Sequence, residues 1–280
     1  MISTNIFETT SGEAPSRADK GISHAMIFRV KTAMDTTGHK RAALVTGGAI
    51  RLGKAISLAL AKNGFDIALH YNTSQQQAEE TAGEIRRCGV QCALFQLDLA
   101  NTKAIAGFLA RIYRAFPKLC VLINNASLFK SSTILETPTP LFDKIFAINF
   151  RAPFFLSKEF AKHCDTGQVI NILDTKVFTN DYDYAAYYLS KKALAELTKT
   201  AALEFAPKIR VNAIAPGPTI PTAGTGMLAF DDATVQAIPL KRTGTVKNVT
   251  DAILHLIQNT FINGHILTID GGESLGTAYS

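Results

Sequence analysis

The sequence predicts one α/β domain, in which a mainly parallel sheet of seven strands carries helices on both faces. Two observations lead to this fold class. Seven short apolar runs alternate with longer helical stretches, and strands joined through helices pair in parallel. Two of the helical stretches end at glycines, Gly64 and Gly89, which favour helix C-termini. Such a sheet is doubly wound and buried on both faces.

The predicted strands are apolar runs bounded by polar or glycine residues, and they lie at 42–46, 66–71, 90–98, 119–124, 168–173, 209–214 and 264–270. The predicted helices between them lie at 53–63, 75–88, 102–116, 139–163, 184–206 and 246–258. Residues 216–240 are rich in Pro, Gly and Thr and show no periodicity. A loop of that length inside a compact domain usually binds a ligand, so we expect a substrate loop there.

Residues 1–39 differ from the rest, since they mix Ser, Thr, Gly and charges without any apolar period. They are expected to form a disordered N-terminal extension before a domain that spans 40–280. These residues contain no uninterrupted apolar stretch, so we do not expect a secretory signal. The acidic residues Glu8, Glu13 and Asp19 do not fit a transit peptide.

Composition excludes several classes of protein. The net charge is +6, but the Lys and Arg residues are scattered without a basic run, and an anionic small molecule explains this charge as well as nucleic acid does. We expect a small-molecule partner and no nucleic acid. No apolar run approaches the ~18 residues that span a membrane. The four cysteines lack metal-ligand spacing, so we expect no metal site and a cytoplasmic protein with reduced thiols.

A glycine-rich turn, T-G-G-A-I-R-L-G, follows the first strand at residues 46–53 and leads into a helix. Such a turn lets the backbone approach a pyrophosphate, and the helix N-terminus offers free N–H groups. A plain connecting turn is the alternative. The second strand ends at residues 70–74 without the acid that binds a ribose 2′-hydroxyl, and Arg51 could clamp a 2′-phosphate. We therefore expect NADP(H) in a Rossmann-type domain, unless Arg51 is an ordinary solvated charge.

Tyr187 and Lys191 are four residues apart, so they share one face of a predicted helix. A neighbouring ammonium favours the phenolate and is expected to lower the pKa of Tyr187 toward the neutral range. Tyr188 and Lys192 have the same spacing and form the alternative pair.

The turn, together with Y-x-x-x-K and Ser190 before the lysine, resembles the short-chain dehydrogenase/reductase family. The resemblance implies an active-site asparagine, Asn149, that supports a proton-relay water, although a buried structural asparagine is the alternative. It also implies a homotetramer that packs through helices 139–163 and 184–206. Asp98 is expected either at the adenine ring or as a cap of the next helix. The expected cofactor contacts are Gly47, Arg51, Leu52, Gly53, His70, Asn72, Thr73, Ser74, Asp98, Leu99, Asn125, Ala126, Ser127, Tyr187, Lys191, Pro216 and Gly217.

One position departs from the general family pattern. Asp174 stands thirteen residues before Tyr187, where the family usually has a serine. A carboxylate would repel the alkoxide of a reduced ketone, whereas it suits a nitrogen heterocycle. The departure resembles the pteridine reductase branch, as does N-A-S-x-F at residues 125–129, whose Phe129 would stack on the pterin. Thr175 could instead supply a hydroxyl.

The sequence therefore predicts NADPH-dependent reduction of a pteridine, either a dihydropterin or dihydrofolate. The expected catalytic residues are Asp174, Tyr187, Lys191 and Asn149. The substrate is expected to contact Ser127, Phe129, Asp174 and Tyr187. Two alternatives stay open: a general carbonyl or 3-oxoacyl reductase of the same family, and a non-catalytic sensor that binds NADP.

Overall fold

The computed structural model describes residues 40–220 and 230–278, and within these ranges seven strands form one parallel sheet in the order β3-β2-β1-β4-β5-β6-β7. The strands are β1 (Ala42–Val45), β2 (Asp66–Tyr71), β3 (Cys92–Gln96), β4 (Leu119–Asn124), β5 (Gly167–Ile172), β6 (Ile209–Pro216) and β7 (Ile266–Ile269). The expected N-terminal extension, residues 1–39, lies outside the described ranges. The strand order reverses between β1 and β4, and ligands of such sheets bind where the carboxyl ends of those strands diverge.

Helices cover both faces of the sheet. They are α1 (Arg51–Lys62), α2 (Gln75–Arg86), α3 (Ile105–Ala115), α4 (Thr139–Phe146), α5 (Ala152–His163), α6 (Ala185–Glu204), α7 (Asp232–Ala237) and α8 (Val246–Gln258). One apolar core lies between the sheet and α1, α2 and α8, and a second lies between the sheet and α3, α5 and α6. The predicted doubly wound α/β fold is confirmed.

The expected single helix at 139–163 is interrupted. A π-helical turn, Ala147–Arg151, lies between α4 and α5. Pro153 in the first turn of α5 has no N–H to donate, and its ring would clash with the carbonyl four residues back. The chain widens there, and single π turns of this kind often occur at functional sites. Asn149 lies on the widened turn.

The expected loop at 216–240 is wrong in two respects. Strand β6 continues to Pro216, and α7 begins at Asp232 inside the expected loop. The carboxylate of Asp231 accepts a hydrogen bond from the backbone N–H of Thr234 at 2.8 Å, which is a regular helix cap. Residues 221–229 of that loop lie outside the described ranges.

Three classes of feature do not occur in the described part of the chain. No helix there is long and apolar enough to cross a membrane. No cluster of three or more His, Cys, Asp or Glu side chains is placed to hold a metal ion. The four cysteines are free thiols.

Candidate active site

Two adjoining cavities open at the carboxyl edge of the sheet. The first, about 540 Å³, lies against the turn after β1 and the ends of β2 and β3, and we call it the glycine cleft. The second, about 580 Å³, lies against the end of β5 and helix α6, and we call it the tyrosine cavity. Arg51, Asn125 and Ser127 line both, so the two cavities share part of their wall.

The glycine cleft collects residues from four separate segments of the chain. Lys144 and Ile148 also line it, and no local sequence pattern points to them. The expected cofactor contacts found there are Gly47, Arg51, Leu52, Gly53, His70, Asn72, Thr73, Ser74, Asp98, Leu99, Asn125, Ala126 and Ser127.

The conformation and packing of the turn require glycine at two of its positions. Gly47 has a φ of +62°, in the left-handed region that favours glycine. A Cβ added to Gly53 would lie 2.0 Å from the carbonyl oxygen of Gly47. The hydroxyl of Thr46 accepts hydrogen bonds from the N–H groups of Asn125 and Ala126 at 2.9 and 3.0 Å. The turn is thereby tied to the end of β4.

His70 is hydrogen-bonded to this turn and is buried beneath the glycine cleft. Its ring nitrogens join two segments: Nδ1 accepts from the N–H of Gly47 at 2.9 Å, and Nε2 is 2.9 Å from the carbonyl oxygen of Leu97, to which it donates as the neutral tautomer. The residue is 2 % exposed, and burial lowers its pKa to about 4. His70 therefore lines the cleft as a neutral residue whose polar atoms hold the protein.

Helix α1 begins in a way that suits an anion. It has no side-chain cap and no acidic residue in its first turn, as is also true of α2 to α6. Arg51, the first residue of α1, is exposed and has a left-handed φ of 51°. Free N–H groups and the positive end of the helix dipole favour a phosphate here.

The far end of the glycine cleft carries neutral donors and one carboxylate. Asn72 and Thr73 are exposed and Ser74 is half-buried, and β2 ends without an acid. Asp98 accepts a hydrogen bond from the N–H of Ala100 at 3.0 Å, which forms an Asx turn in the loop. The next helical turn, Thr102–Ala104, has Asn101 at its N-cap and no side-chain cap, so the capping alternative for Asp98 is wrong. Leu99 is buried.

The tyrosine cavity brings three ionisable side chains together. The phenol of Tyr187 donates to Oδ2 of Asp174 at 3.1 Å. The other carboxylate oxygen, Oδ1, accepts from the N–H of Lys176 at 2.9 Å. The ammonium of Lys191 donates to the carbonyl oxygen of Ile172 at 2.8 Å and lies 5.7 Å from the centre of the Tyr187 ring. Asp174 thus forms hydrogen bonds through both of its oxygens.

The expected lowering of the Tyr187 pKa is wrong for this arrangement. Burial and, after it, the charge of Asp174 raise the pKa of Tyr187 well above its ordinary value. Burial also lowers the pKa of Lys191 to about 8, and Asp174 opposes that shift. The ammonium is directed at a strand carbonyl, so the carboxylate dominates the surroundings of the phenol. Tyr187 is a neutral hydroxyl, the form that a proton donor requires.

The alternative pair is not assembled at this site. Tyr188 lines the tyrosine cavity, but the ammonium of Lys192 donates to Oδ1 of Asn180 at 2.8 Å. Lys192 does not line either cavity. Tyr187 and Lys191 are therefore the pair that faces the cavity together.

Asn149 is fully buried, and its side chain is fully used by the protein. Its oxygen accepts from Leu128 N–H at 2.7 Å and from the Ser127 hydroxyl at 3.3 Å. Its amide donates to Leu128 carbonyl at 3.0 Å and to Ser190 hydroxyl at 3.1 Å. These contacts join the segment after β4 to helix α6, which fits the buried-asparagine alternative. The expected part in a proton relay stays a prediction.

Phe129 lies beside the reacting groups. Its ring stacks on Tyr184 with centres 4.3 Å apart and meets the Tyr187 ring edge-on at 4.6 Å. Offset stacks and edge contacts of this kind each contribute about 1 kcal/mol beyond area burial. Phe129 and Ser127 line the tyrosine cavity, as do Pro216 and Gly217. The contact with Tyr184 has no counterpart in the sequence-based expectations.

Several further residues of the tyrosine cavity come from distant parts of the chain. They include Ile220, Phe230 and Glu273. The Thr175 hydroxyl donates to Oε2 of Glu273 at 3.3 Å, which directs it to the C-terminal segment. Sequence spacing carries no signal for a contact between residues 98 positions apart.

Comparison with known proteins identifies the family. A family model described as enoyl-(acyl carrier protein) reductase matches residues 48–274. The chain belongs to the short-chain dehydrogenase/reductase family. It is 34 % identical over 241 residues to an uncharacterized oxidoreductase of Mycobacterium tuberculosis, covering 83 % of this chain and 91 % of the relative. It is 29 % identical to 3-oxoacyl-[acyl-carrier-protein] reductase FabG of Staphylococcus epidermidis, covering 83 % of this chain and 98 % of that protein.

A solved structure supports the same family. The chain matches the FolM alternative dihydrofolate reductase 1 of Brucella canis, crystallised with NADP, with a TM-score of 0.80 and 34 % identity, covering 86 % of this chain and 95 % of that chain. Members of the family are oxidoreductases that use NAD or NADP. The expected oxidoreductase class and nicotinamide cofactor are thereby confirmed. The crowded Gly53 and the uncapped start of α1 fit the pyrophosphate of such a cofactor.

Proposed function

We propose that this protein reduces a pteridine, a dihydropterin or dihydrofolate, with NADPH. The observation that carries the proposal is the pairing of Asp174 with the phenol of Tyr187 at 3.1 Å. Where a ketone reductase needs a neutral donor, this cavity offers an acceptor that can bind the amino and N–H groups of an aminoheterocycle. The likeness to a Brucella dihydrofolate reductase supports the same substrate class.

The residues of the glycine cleft would hold the cofactor. The N–H groups at the start of α1 would bind the pyrophosphate, and Arg51 with Thr73 and Ser74 would bind the 2′-phosphate. Lys191 would hold the nicotinamide ribose. Bound NADPH supplies the hydride that reduces one carbon of the substrate C=N bond.

The protein supplies the proton. Tyr187, a neutral phenol, donates it to the nitrogen of the same C=N bond, which becomes N–H. Asp174 would accept from the substrate and hold it beside Tyr187, and the face of Phe129 opposite Tyr184 would stack on the pteridine ring. Burial of Tyr187 and Lys191, 6 % and 2 % exposed, keeps water from competing with the substrate.

A substrate panel tests the proposal. NADPH oxidation is followed with dihydropterins, with dihydrofolate, and with ketones including a 3-oxoacyl thioester. The proposal expects the highest kcat/KM for a pteridine. The Asp174→Ser variant should lose about 10²-fold of that activity, because it removes the carboxylate and restores the general family's hydroxyl. Unchanged pteridine turnover in Asp174→Ser would refute the assignment.

The Phe129→Ala variant tests the stacking surface separately. Loss of a stacking face should raise KM for the pteridine while the dissociation constant of NADPH stays constant. If Phe129 is instead a packing residue, its truncation lowers the free energy of unfolding by about 3–5 kcal/mol. A thermal melt beside the kinetics separates the two.

A general carbonyl or 3-oxoacyl reductase is the second candidate. One observation favours it: the Ser127 hydroxyl lines the tyrosine cavity together with Tyr187 and could act as a neutral donor to a ketone. The likeness to the Staphylococcus reductase agrees with this reading. In that case Ser127→Ala should abolish ketone reduction and Asp174→Ser should increase it.

The proposed enzyme is a cytoplasmic homotetramer. Its free cysteines suit a reducing compartment. Helices α4, α5 and α6 expose Phe142, Phe154 and Leu189, each at least 40 % exposed, which gives them apolar surface for a second copy. Light scattering at micromolar concentration should give four times the monomer mass, and a monomer mass would reject the assembly.

A further inference from the structure

The tyrosine cavity contains a second carboxylate that the proposed chemistry does not use. Glu273 lies at the start of the C-terminal 3₁₀ segment, Glu273–Ala278, and its side chain is 16 % exposed. The Asp270 carboxylate fixes the backbone on either side of it, because Oδ1 accepts from Gly272 N–H at 2.9 Å and Oδ2 accepts from Ser274 N–H at 2.8 Å. Glu273 lines the cavity, and its backbone is held by these two hydrogen bonds.

Two consecutive residues after Asp174 contact Glu273. The Thr175 hydroxyl donates to Oε2 at 3.3 Å, and the Lys176 ammonium lies 3.5 Å from Oε1. The backbone N–H of Lys176 is the group that donates to Oδ1 of Asp174. One residue, Lys176, thus connects the two carboxylates: its main chain holds Asp174, and its side chain is held by Glu273.

We propose that Glu273 is a positioning residue, which acts through Thr175 and Lys176 to aim the Asp174 carboxylate at the Tyr187 phenol. The inference rests on the proposed part of Asp174 in the reaction. Asp174 belongs to the short segment between β5 and the helix that carries Tyr187, and its backbone is extended, with φ −154° and ψ 146°. Glu273 holds the 3₁₀ turn that follows Asp174, Thr175–Phe178, by accepting a hydrogen bond from Thr175. Without that fastening the Lys176 N–H would shift and release Oδ1.

The experiment compares four variants. Glu273→Ala removes both contacts, and Glu273→Gln keeps an acceptor for Thr175 but loses the ion pair. The charge swap Lys176→Glu with Glu273→Lys restores the pair with its signs exchanged. The control is Glu196→Gln, which breaks a similar pair with Lys199 on the exposed face of α6.

With a dihydropterin as substrate, Glu273→Ala should lower kcat about tenfold, because small displacements of a reacting group are costly. KM for NADPH should stay constant, and Glu196→Gln should match the wild type. The swap should recover at least half of the lost activity. A kcat within twofold of wild type in Glu273→Ala, with only a lower melting temperature, would show that Glu273 merely anchors the C-terminal segment and would overturn the proposal.

A double-mutant cycle decides the matter without turnover. Glu273→Gln is combined with Asp174→Asn, and unfolding in urea is measured for the four proteins. Coupled effects support the proposal, whereas additive effects overturn it, since independent sites add. If wild type fails to turn over any pteridine, the proposed function fails, and this cycle still tests the link between Glu273 and Asp174.

Discussion

The two cavities differ in the groups that would bind a ligand, although some residues line both. The glycine cleft is shaped by backbone: a left-handed Gly47, a Gly53 that has no room for a Cβ, and a helix that starts without a cap. The tyrosine cavity is shaped by side chains, with Asp174 and Tyr187 in contact at 3.1 Å. Backbone geometry can bind any nucleotide of the right shape, whereas side chains select one chemistry.

The largest effect is expected in the tyrosine cavity. Tyr187→Phe removes one oxygen, the proton donor, and should lower kcat at least about 10²-fold. The dissociation constant of NADPH should stay within about twofold, because the glycine cleft does not depend on that oxygen. Stopped-flow turnover and fluorescence titration of NADPH measure the two quantities.

Tyr188→Phe is the matched control on the next position of α6. It should change kcat by no more than about threefold, since its helical partner Lys192 contacts Asn180 outside the cavity. A loss in Tyr188→Phe and none in Tyr187→Phe would show that the assigned register of the catalytic pair is wrong.

Acid should lower the free energy of unfolding through His70, which is hydrogen-bonded to the turn of the glycine cleft. The unfolded chain binds a proton on histidine below pH 6.5, but the buried ring accepts one only near pH 4. The free energy of unfolding is therefore fully retained above pH 6.5 and falls as the pH drops from 6.5 to 4, by up to about 3 kcal/mol. Urea unfolding at pH 7 and pH 4.5 measures the change.

The variant that isolates this effect is His70→Asn, which stays neutral at both pH values. Its unfolding free energy should fall less between pH 7 and pH 4.5 than that of wild type. His255→Asn on the exposed face of α8 is the control and should keep the wild-type fall. Equal falls in all three proteins would exclude His70 as the acid-sensitive group.

A pair of glycine substitutions tests whether the glycine cleft depends on backbone space. In Gly53→Ala the new Cβ meets the Gly47 carbonyl at 2.0 Å and Asn125 Nδ2 at 2.7 Å, so the turn must move. We expect NADPH affinity to fall at least about thirtyfold, or about 2 kcal/mol. Gly83→Ala in α2 meets no atom within 4 Å and should leave NADPH affinity unchanged while it stabilises the helix by up to about 1 kcal/mol. Isothermal titration and thermal melts measure both.

The sequence could predict the features that depend on local spacing along the chain. The turn at 46–53 and the pair Tyr187 and Lys191 are local patterns, and their spacing is set by helix and strand geometry. They located both cavities. The π turn at Ala147–Arg151 also had a local signal in Pro153, but the amount by which a proline widens a helix depends on what packs around it.

The remainder depends on contacts between distant segments. Glu273 reaches Thr175 across 98 residues, and Tyr184 stacks on Phe129 although α4, α5 and β5 lie between them in the chain. The Tyr187 pKa was expected to fall because spacing reveals the lysine on the same helix face. The direction of its ammonium, toward the Ile172 carbonyl, is a property of the folded sheet. Electrostatics at this site is therefore a tertiary property.

Arg51 is the exception in the glycine cleft, because a side chain there is expected to choose between two cofactors. It is exposed at the first position of α1, and β2 ends without the acid that an NAD site would carry. NADPH should bind wild type at least about tenfold more tightly than NADH, and Arg51→Ala should remove most of that difference, about 1.4 kcal/mol. The exposed Arg114→Ala on α3 is the charge-matched control and should keep the preference. If Arg51→Ala weakens the binding of NADPH and NADH equally, the guanidinium contacts the pyrophosphate, which both cofactors share, and not the 2′-phosphate. Equal affinities in wild type would refute the NADPH preference itself.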